Sequence, residues 1–98
     1  MALEIVWTTR AEKGFEKIIA YLEENWTERE VQSFILESFR FFELLTTHPE
    51  ILQKSSKQKN VYRGPMDNYN ILTYRIKPQK KQIEFLNIRA AKRKPLKR

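Results

Sequence analysis

The feature of this sequence that most constrains its fold is a pair of alternating segments between residues 68 and 95. The first segment, YNILTYRI, covers residues 69–76, and the second, QIEFLNIR, covers residues 82–89. Apolar and polar side chains alternate in both with the period of two that is typical of half-buried strands. The connecting residues 77–81 (KPQKK) hold a proline, which fixes one turn dihedral, and three lysines, which favour water. The two segments therefore predict a β-hairpin.

This hairpin carries many cations. Arg75 stands near the end of the first strand, and the second strand ends at Arg89 and continues into Lys92, Arg93 and Lys94. Because a sheet that gathers positive charge attracts negative partners, the pattern favours an anionic ligand.

Charge is also divided unevenly along the chain, whose formal net charge is +7. Residues 1–53 contain ten acidic and five basic side chains, whereas residues 54–98 contain fourteen basic side chains and two acidic ones. A basic tail alone is an ordinary solubilising device. A basic half that coincides with a predicted sheet favours a polyanion such as RNA, DNA or an acidic protein segment.

Length and composition restrict the remaining possibilities. Ninety-eight residues, 41% of them hydrophobic, suffice for one core, so we expect a single domain over residues 1–98 with a basic tail at 93–98. The chain has no cysteine, which excludes disulfides and thiolate chemistry. No segment resembles a signal peptide or a membrane span, so we expect a cytoplasmic protein. We also expect no cofactor and no metal site.

The N-terminal half predicts one strand and two helices. Residues 3–7 (LEIVW) suit a short strand, and Thr8 or Thr9 is expected to cap a helix with one apolar stripe. Gly14 lies beside that stripe and indicates a close approach of another backbone. Thr27 and Glu30 have the spacing of a capping box, which predicts a second helix to about Thr47.

After this helix the chain becomes polar. The His48-Pro49 pair ends the helix, because proline disfavours helical geometry in the residue before it. A lysine-rich stretch, QKSSKQK, is interpreted as a loop, and Val61 and Tyr62 are expected to begin a strand that turns at residues 63–65. The predicted order is β-α-α-β-β-β, an α+β fold in which a helical hairpin covers one face of a mainly antiparallel sheet. The first strand is expected to pair in parallel with the last or next-to-last strand.

Several short segments in this order resemble the RelE/ParE family of toxins from type II toxin–antitoxin systems, a family that includes plasmid stabilisation proteins. The similar segments are IVW at residues 5–7, IIAYLEENW at 18–26, YNILTYRI at 69–76 and the ending at 83–95. The resemblance covers residues 3–95. It implies a small microbial toxin that acts on the ribosome and mRNA, or on DNA gyrase, and that is inhibited by an acidic antitoxin in a hetero-oligomer.

In the ribosome-dependent branch, such toxins are metal-independent endoribonucleases, and cationic side chains stabilise the phosphate during cleavage. By position, the resemblance implies catalytic roles for Lys54, Lys57, Arg63, Arg89 and Arg93. It implies nucleic-acid binding by Lys59, Arg75, Lys92 and Lys94.

The proton-transfer groups are less clear from the sequence. Ala90 stands where many relatives carry a histidine or an acid, and the ending KPLKR has no tyrosine or histidine. A loop lysine would serve as a base only with a lowered pKa. Strict alternation places Glu84 on the strand face opposite Phe85 and Arg89, so we interpret it as structural.

Three functions therefore remain open: an mRNA endoribonuclease, a non-enzymatic gyrase inhibitor of the ParE type, and a degenerate toxin that only binds its antitoxin. The antitoxin is expected to neutralise the basic half of the chain. Leu36 and Leu44 lie outside the apolar sector of the second helix and are candidates for packing against the antitoxin.

Overall fold

A sheet covered on one side by two helices forms the architecture of the protein, in a computed structural model that describes residues 2–91. Strand β1 (Glu4–Trp7) is followed by helices α1 (Thr9–Asn25) and α2 (Glu28–Thr47), and then by strands β2 (Gln53–Lys54), β3 (Val61–Pro65), β4 (Asn70–Lys77) and β5 (Gln82–Ala90). Within these residues the strands form one sheet in the order β1-β5-β4-β3-β2. The predicted α+β class and the three-stranded meander β3-β4-β5 are confirmed. The parallel pairing of β1 is with the last strand, β5.

The sequence analysis was wrong about two boundaries. Gln53 and Lys54, predicted to lie in the polar loop, form the short edge strand β2 opposite Arg63 and Tyr62. Strand β3 does not turn at residues 63–65 but continues to Pro65. The chain reverses after it, where the Asp67 side chain accepts hydrogen bonds from the backbone N–H groups of Tyr69 and Asn70.

Both helix starts follow the predicted capping chemistry. The Thr8 hydroxyl accepts a hydrogen bond from the Ala11 backbone N–H and donates one to the Phe85 carbonyl, so the cap also fastens α1 to β5. Thr27 and Glu30 form the reciprocal capping box at the start of α2.

Four aromatic rings form the centre of the core. Trp7 and Phe42 each lie with ring centroids 5.0 Å from Phe85, and Phe15 lies 5.6 Å from Phe42, all in edge or tilted geometry. These rings come from β1, α1, α2 and β5, so one cluster joins both helices to the middle of the sheet.

Helix α1 approaches β5 closely at Gly14. A Cβ atom at this position would lie 2.1 Å from the carbonyl oxygen of Ile88. The predicted close approach at Gly14 is therefore confirmed, and the neighbouring backbone is that of β5.

Tyr74 lies at the centre of the helix-covered face of the sheet. It is fully buried, its ring stacks on Tyr62 at 5.6 Å, and its hydroxyl donates a hydrogen bond to the Pro49 carbonyl. Burial raises the pKa of the Tyr74 hydroxyl to about 12. The hydrogen bond ties the segment after α2 to the sheet.

Neither helix, among the described residues, is long and apolar enough to cross a membrane.

Candidate nucleic-acid interface

The face of the sheet that the helices leave uncovered, called here the open face, carries arginines on three adjacent strands. Residues that pair directly across strands share a face. Arg63 pairs with Thr73, Arg75 with Val61, and Arg89 with Ile71. These partners alternate with Leu72 and Tyr74, which are buried against the helices. Arg63, Arg75 and Arg89 therefore all lie on the open face.

The register also gives the spacing of these arginines. Arg63 and Arg75 are diagonal neighbours, since Arg63 lies opposite Thr73, and such positions are about 7–8 Å apart. Arg89 lies opposite Ile71, four residues before Arg75 on β4, which corresponds to about 13 Å along a strand. The separation of Arg89 from the other two arginines suits contacts with different phosphates of one RNA or DNA chain rather than with a single phosphate.

A β-bulge brings Arg89 to this face. The pairing of β4 with β5 shifts between Thr73 and Tyr74, so that Thr73 pairs with Asn87 and Tyr74 with Phe85, and Leu86 is the extra residue. Strict alternation would put Arg89 on the same face as buried Phe85. The bulge reverses the alternation after Phe85, as an inserted residue does.

The same bulge corrects the interpretation of Glu84. The sequence analysis placed Glu84 and Arg89 on opposite faces, but both lie on the open face. Glu84 pairs with Arg75 across the strands and forms a salt bridge with Lys77 at 3.3 Å. A carboxylate therefore lies directly opposite Arg75, whereas Arg63 and Arg89 are exposed and pair with uncharged residues, Thr73 and Ile71.

The loop lysines lie at one end of the sheet and Arg89 at the other. Lys57 and Lys59 belong to the turn between β2 and β3, and this turn contacts the end of β4 through the hydrogen bond from the Ile76 N–H to the Asn60 carbonyl. Arg89 lies opposite Ile71 at the beginning of β4. Ile76, beside the loop lysines, and Ile71, beside Arg89, are five residues apart on β4, which corresponds to about 17 Å along the strand.

The remaining predicted site residues have different positions. Lys54 is exposed on the edge strand and pairs with Tyr62, so it points to the helix-covered side and not to the open face. Lys92, Arg93 and Lys94 lie outside the described residues. His48, the single histidine, caps the end of α2 beside the Thr47 hydroxyl.

A groove next to Arg89 contains functional candidates that the sequence analysis missed. It has a volume of about 880 Å³ and lies between α1 and the ends of β4 and β5. Among residues 2–91, its cations are Arg10, Lys13 and Lys17 of α1 together with Arg89, and no carboxylate of these residues lines it. The spacing of positions 10, 13 and 17 is the signal that could have revealed a basic helix face. The N-terminal half has a net negative charge, so its overall charge gave no indication of this basic face of α1.

No three acidic or histidine side chains of residues 2–91 are arranged to hold a metal ion. The chemistry that the open face offers is electrostatic, since guanidinium groups can bind phosphates in a fixed geometry.

Comparison with known structures defines the class of fold. The chain is similar to a chain in the crystal structure of the toxin–antitoxin complex RelBE2 from Mycobacterium tuberculosis. The two share a TM-score of 0.63 and 16% sequence identity over 93% of this chain and all of the other. It is also similar to the solution structure of the conserved hypothetical protein HP0894 from Helicobacter pylori, with a TM-score of 0.53 and 19% identity over 90% and 93% of the two chains. Among curated proteins, none is significantly similar to the sequence.

The sequence itself identifies the family. Residues 5–95 match the model of the ParE toxin of the type II toxin–antitoxin system parDE. The chain belongs to this family, and it is a toxin of the RelE/ParE type.

Proposed function

We propose that this toxin acts on mRNA at the ribosome as a metal-independent endoribonuclease and that it holds the RNA on the open face. The observation that carries the proposal is that Arg63, Arg75 and Arg89, from three strands, share the side of the sheet that the helices leave uncovered.

The proposed reaction uses the 2′-hydroxyl of the RNA as the nucleophile. A base removes its proton, the oxygen attacks the adjacent phosphorus, and the 5′-oxygen of the next nucleotide leaves with a proton from an acid. Guanidinium groups stabilise the extra charge on the phosphate in the transition state, and removing one such preorganised donor typically lowers the rate by about 10²–10³-fold.

The loop lysines are the candidates for the acid or base. The turn that carries Lys57 lies beside the β4 end where Arg75 stands, whereas Lys54 lies on the other side of the sheet. The cut phosphate would then lie near Arg63 and Arg75. Arg89 would bind a phosphate further along the RNA, and Lys59 would add attraction at the loop end of the sheet. Lys92, Arg93 and Lys94, which lie outside the described residues, would add positive charge that attracts the RNA.

The antitoxin is the second partner that we propose. The similar RelBE2 structure is a complex of toxin and antitoxin, and the parDE system named by the family model pairs two components. An acidic segment of the antitoxin would cover the open face and exclude RNA by charge complementarity.

Inhibition of DNA gyrase is the alternative function. The family model, which describes a ParE toxin, favours it. The distance between the loop lysines and Arg89, about 17 Å along the strand, also favours gyrase inhibition. At this distance the lysines and Arg89 do not act on one phosphate. Either target would place the action of the toxin in the cytoplasm.

One experiment in cells separates the two functions. The toxin is induced without its antitoxin, and mRNA ends and plasmid supercoiling are measured in the same cultures. The proposed function predicts new mRNA 5′ ends within codons while supercoiling is maintained. Intact transcripts with loss of supercoiling would instead identify gyrase as the target.

A further inference from the structure

We infer that the groove between α1 and the ends of β4 and β5 binds single-stranded RNA, with bases on its aromatic side chains and phosphates on its basic rim. The inference rests on the proposed function and extends it to a second surface. The groove has a volume of about 880 Å³, which is within the range of roughly 300–1,000 Å³ for cavities that bury small ligands.

The accessible lining of the groove is aromatic. Ala90 is exposed but small, and the larger aliphatic residues Ile18, Leu22 and Ile88 are between 1% and 9% exposed, so they offer little surface to a ligand. Tyr21, Trp26 and Tyr69 are 56%, 38% and 51% exposed. Exposed rings on a concave surface are the usual stacking platforms for unpaired bases.

The rim of the groove is basic along its length. Arg10 and Lys17 are seven residues apart on α1, which corresponds to about 10 Å along a helix. Stacked nucleotides advance by about 3.4 Å each. The row of cations from Arg10 through Lys13 to Lys17 therefore spans about three nucleotides. In the part of the chain that the structure describes, no carboxylate lines the groove, so no acidic side chain there competes with the ligand for these cations.

The groove is continuous with the open face. Asn87 and Arg89 line the groove, and both also lie on the open face, where Asn87 pairs with Thr73 and Arg89 pairs with Ile71. An RNA strand held by Arg63 and Arg75 that follows β5 past Arg89 therefore enters the groove. The combination of exposed ring faces with a basic rim at the spacing of stacked nucleotides favours RNA as the ligand.

Binding of a fluorescein-labelled oligoadenylate to the purified full-length chain tests the inference. Trp26→Ala or Tyr21→Ala is expected to weaken binding by roughly tenfold to a hundredfold, because a stacked base is lost. Lys13→Gln is expected to lower the slope of log K against log salt by about 0.7, the value for one phosphate contact of a single strand.

The matched controls lie on α2 and just after it, away from the groove. Arg40→Gln and Ile51→Ala change an exposed cation and an exposed apolar side chain, and they are expected to leave the affinity and the salt slope at wild-type values. Circular dichroism of each variant verifies that the fold is kept, and Tyr21→Ala serves if Trp26→Ala fails to fold.

Two results would overturn the inference. If Arg63→Gln lowers the salt slope while the three groove variants behave like the controls, RNA binds the open face but not the groove. If the wild type does not bind the oligoadenylate, the inference fails, and binding of an acidic amphipathic peptide that is sensitive to Lys13→Gln would identify the groove as a protein-binding site. The proposed function is tested separately, by mRNA cleavage on ribosomes.

Discussion

The absence of a side chain at Gly14 determines how closely α1 approaches β5. Alanine is usually favoured over glycine inside a helix by roughly 1 kcal/mol. At this position, however, the added carbon would lie 2.1 Å from the Ile88 carbonyl oxygen, which belongs to a strand backbone. The packing requirement outweighs helix propensity here.

We therefore expect Gly14→Ala to destabilise the protein by about 1–3 kcal/mol, the usual cost of overpacking a core. Urea denaturation followed by circular dichroism measures the change. The control is Gln32→Ala at an exposed position of α2, which should stay within about 0.5 kcal/mol of the wild type. A Gly14→Ala midpoint equal to or above that of the wild type would contradict the close approach.

The buried Tyr74 hydroxyl predicts a loss of stability at high pH. Its pKa is raised from 10.0 to about 12, mainly by burial. The protonated form is favoured in the folded state, so the contribution is full below pH 10 and is lost as the pH rises towards 12. The shift of about two pKa units corresponds to up to about 3 kcal/mol.

Tyr74→Phe isolates this effect from the titration of the lysines. Because the variant lacks the hydroxyl, the difference in unfolding free energy between wild type and variant should shrink as the pH rises above about 10. Urea titrations at a series of pH values measure it. A difference that does not change with pH would show that the hydroxyl ionises as easily in the folded protein as in the unfolded one.

Among the structural elements, the bulge in β5 shows most clearly what the sequence could and could not predict. The alternation in residues 70–77 correctly assigned the faces of β4, because that strand is regular. In β5 the same reasoning failed after Phe85, since the extra residue, Leu86, has no signature of its own in the local pattern. The placement of Arg89 depends on pairing with a strand already fixed in space, which a local pattern does not contain.

The connection between α1 and β5 depends on Thr8. Thr8→Ala removes both the helix cap and the hydrogen bond to the Phe85 carbonyl, and we expect a loss of roughly 1–3 kcal/mol. Thr8→Ser keeps the hydroxyl and should retain most of the stability in the same thermal or urea melts. If serine is as destabilising as alanine, the methyl group of Thr8 and not its hydroxyl is the important part.

At the scale of the whole molecule, the charge division of the sequence predicted a basic sheet but not its layout. The polar stretch after α2 has no apolar periodicity, so nothing local showed that part of it pairs as an edge strand or that Lys54 turns away from the open face. The groove was missed for the same reason. It arises where α1 meets the ends of two distant strands.

The basic half of the chain also predicts how the toxin meets its antitoxin. If an acidic segment covers the open face, the affinity of the complex should fall as salt is raised from low to moderate concentration, because screening weakens charge pairing. Calorimetric titration with the co-encoded protein at several salt concentrations measures this. An affinity that does not depend on salt would indicate a mainly apolar interface.

The most direct test of the account is mRNA cleavage on purified ribosomes by variants of the open-face arginines. Arg63→Ala is expected to lower the cleavage rate by about 10²-fold or more, because Arg63 lies beside the cut phosphate, and Arg75→Ala by less, because Glu84 lies opposite it. Arg89→Ala removes a contact with a phosphate further along the RNA, so it is expected to weaken mRNA binding more than it slows the cut. Arg29→Ala and Arg40→Ala, exposed on α2, should cut like the wild type. Equal cleavage by all five variants, or no cleavage by the wild type, would contradict the role of the open face in RNA cleavage.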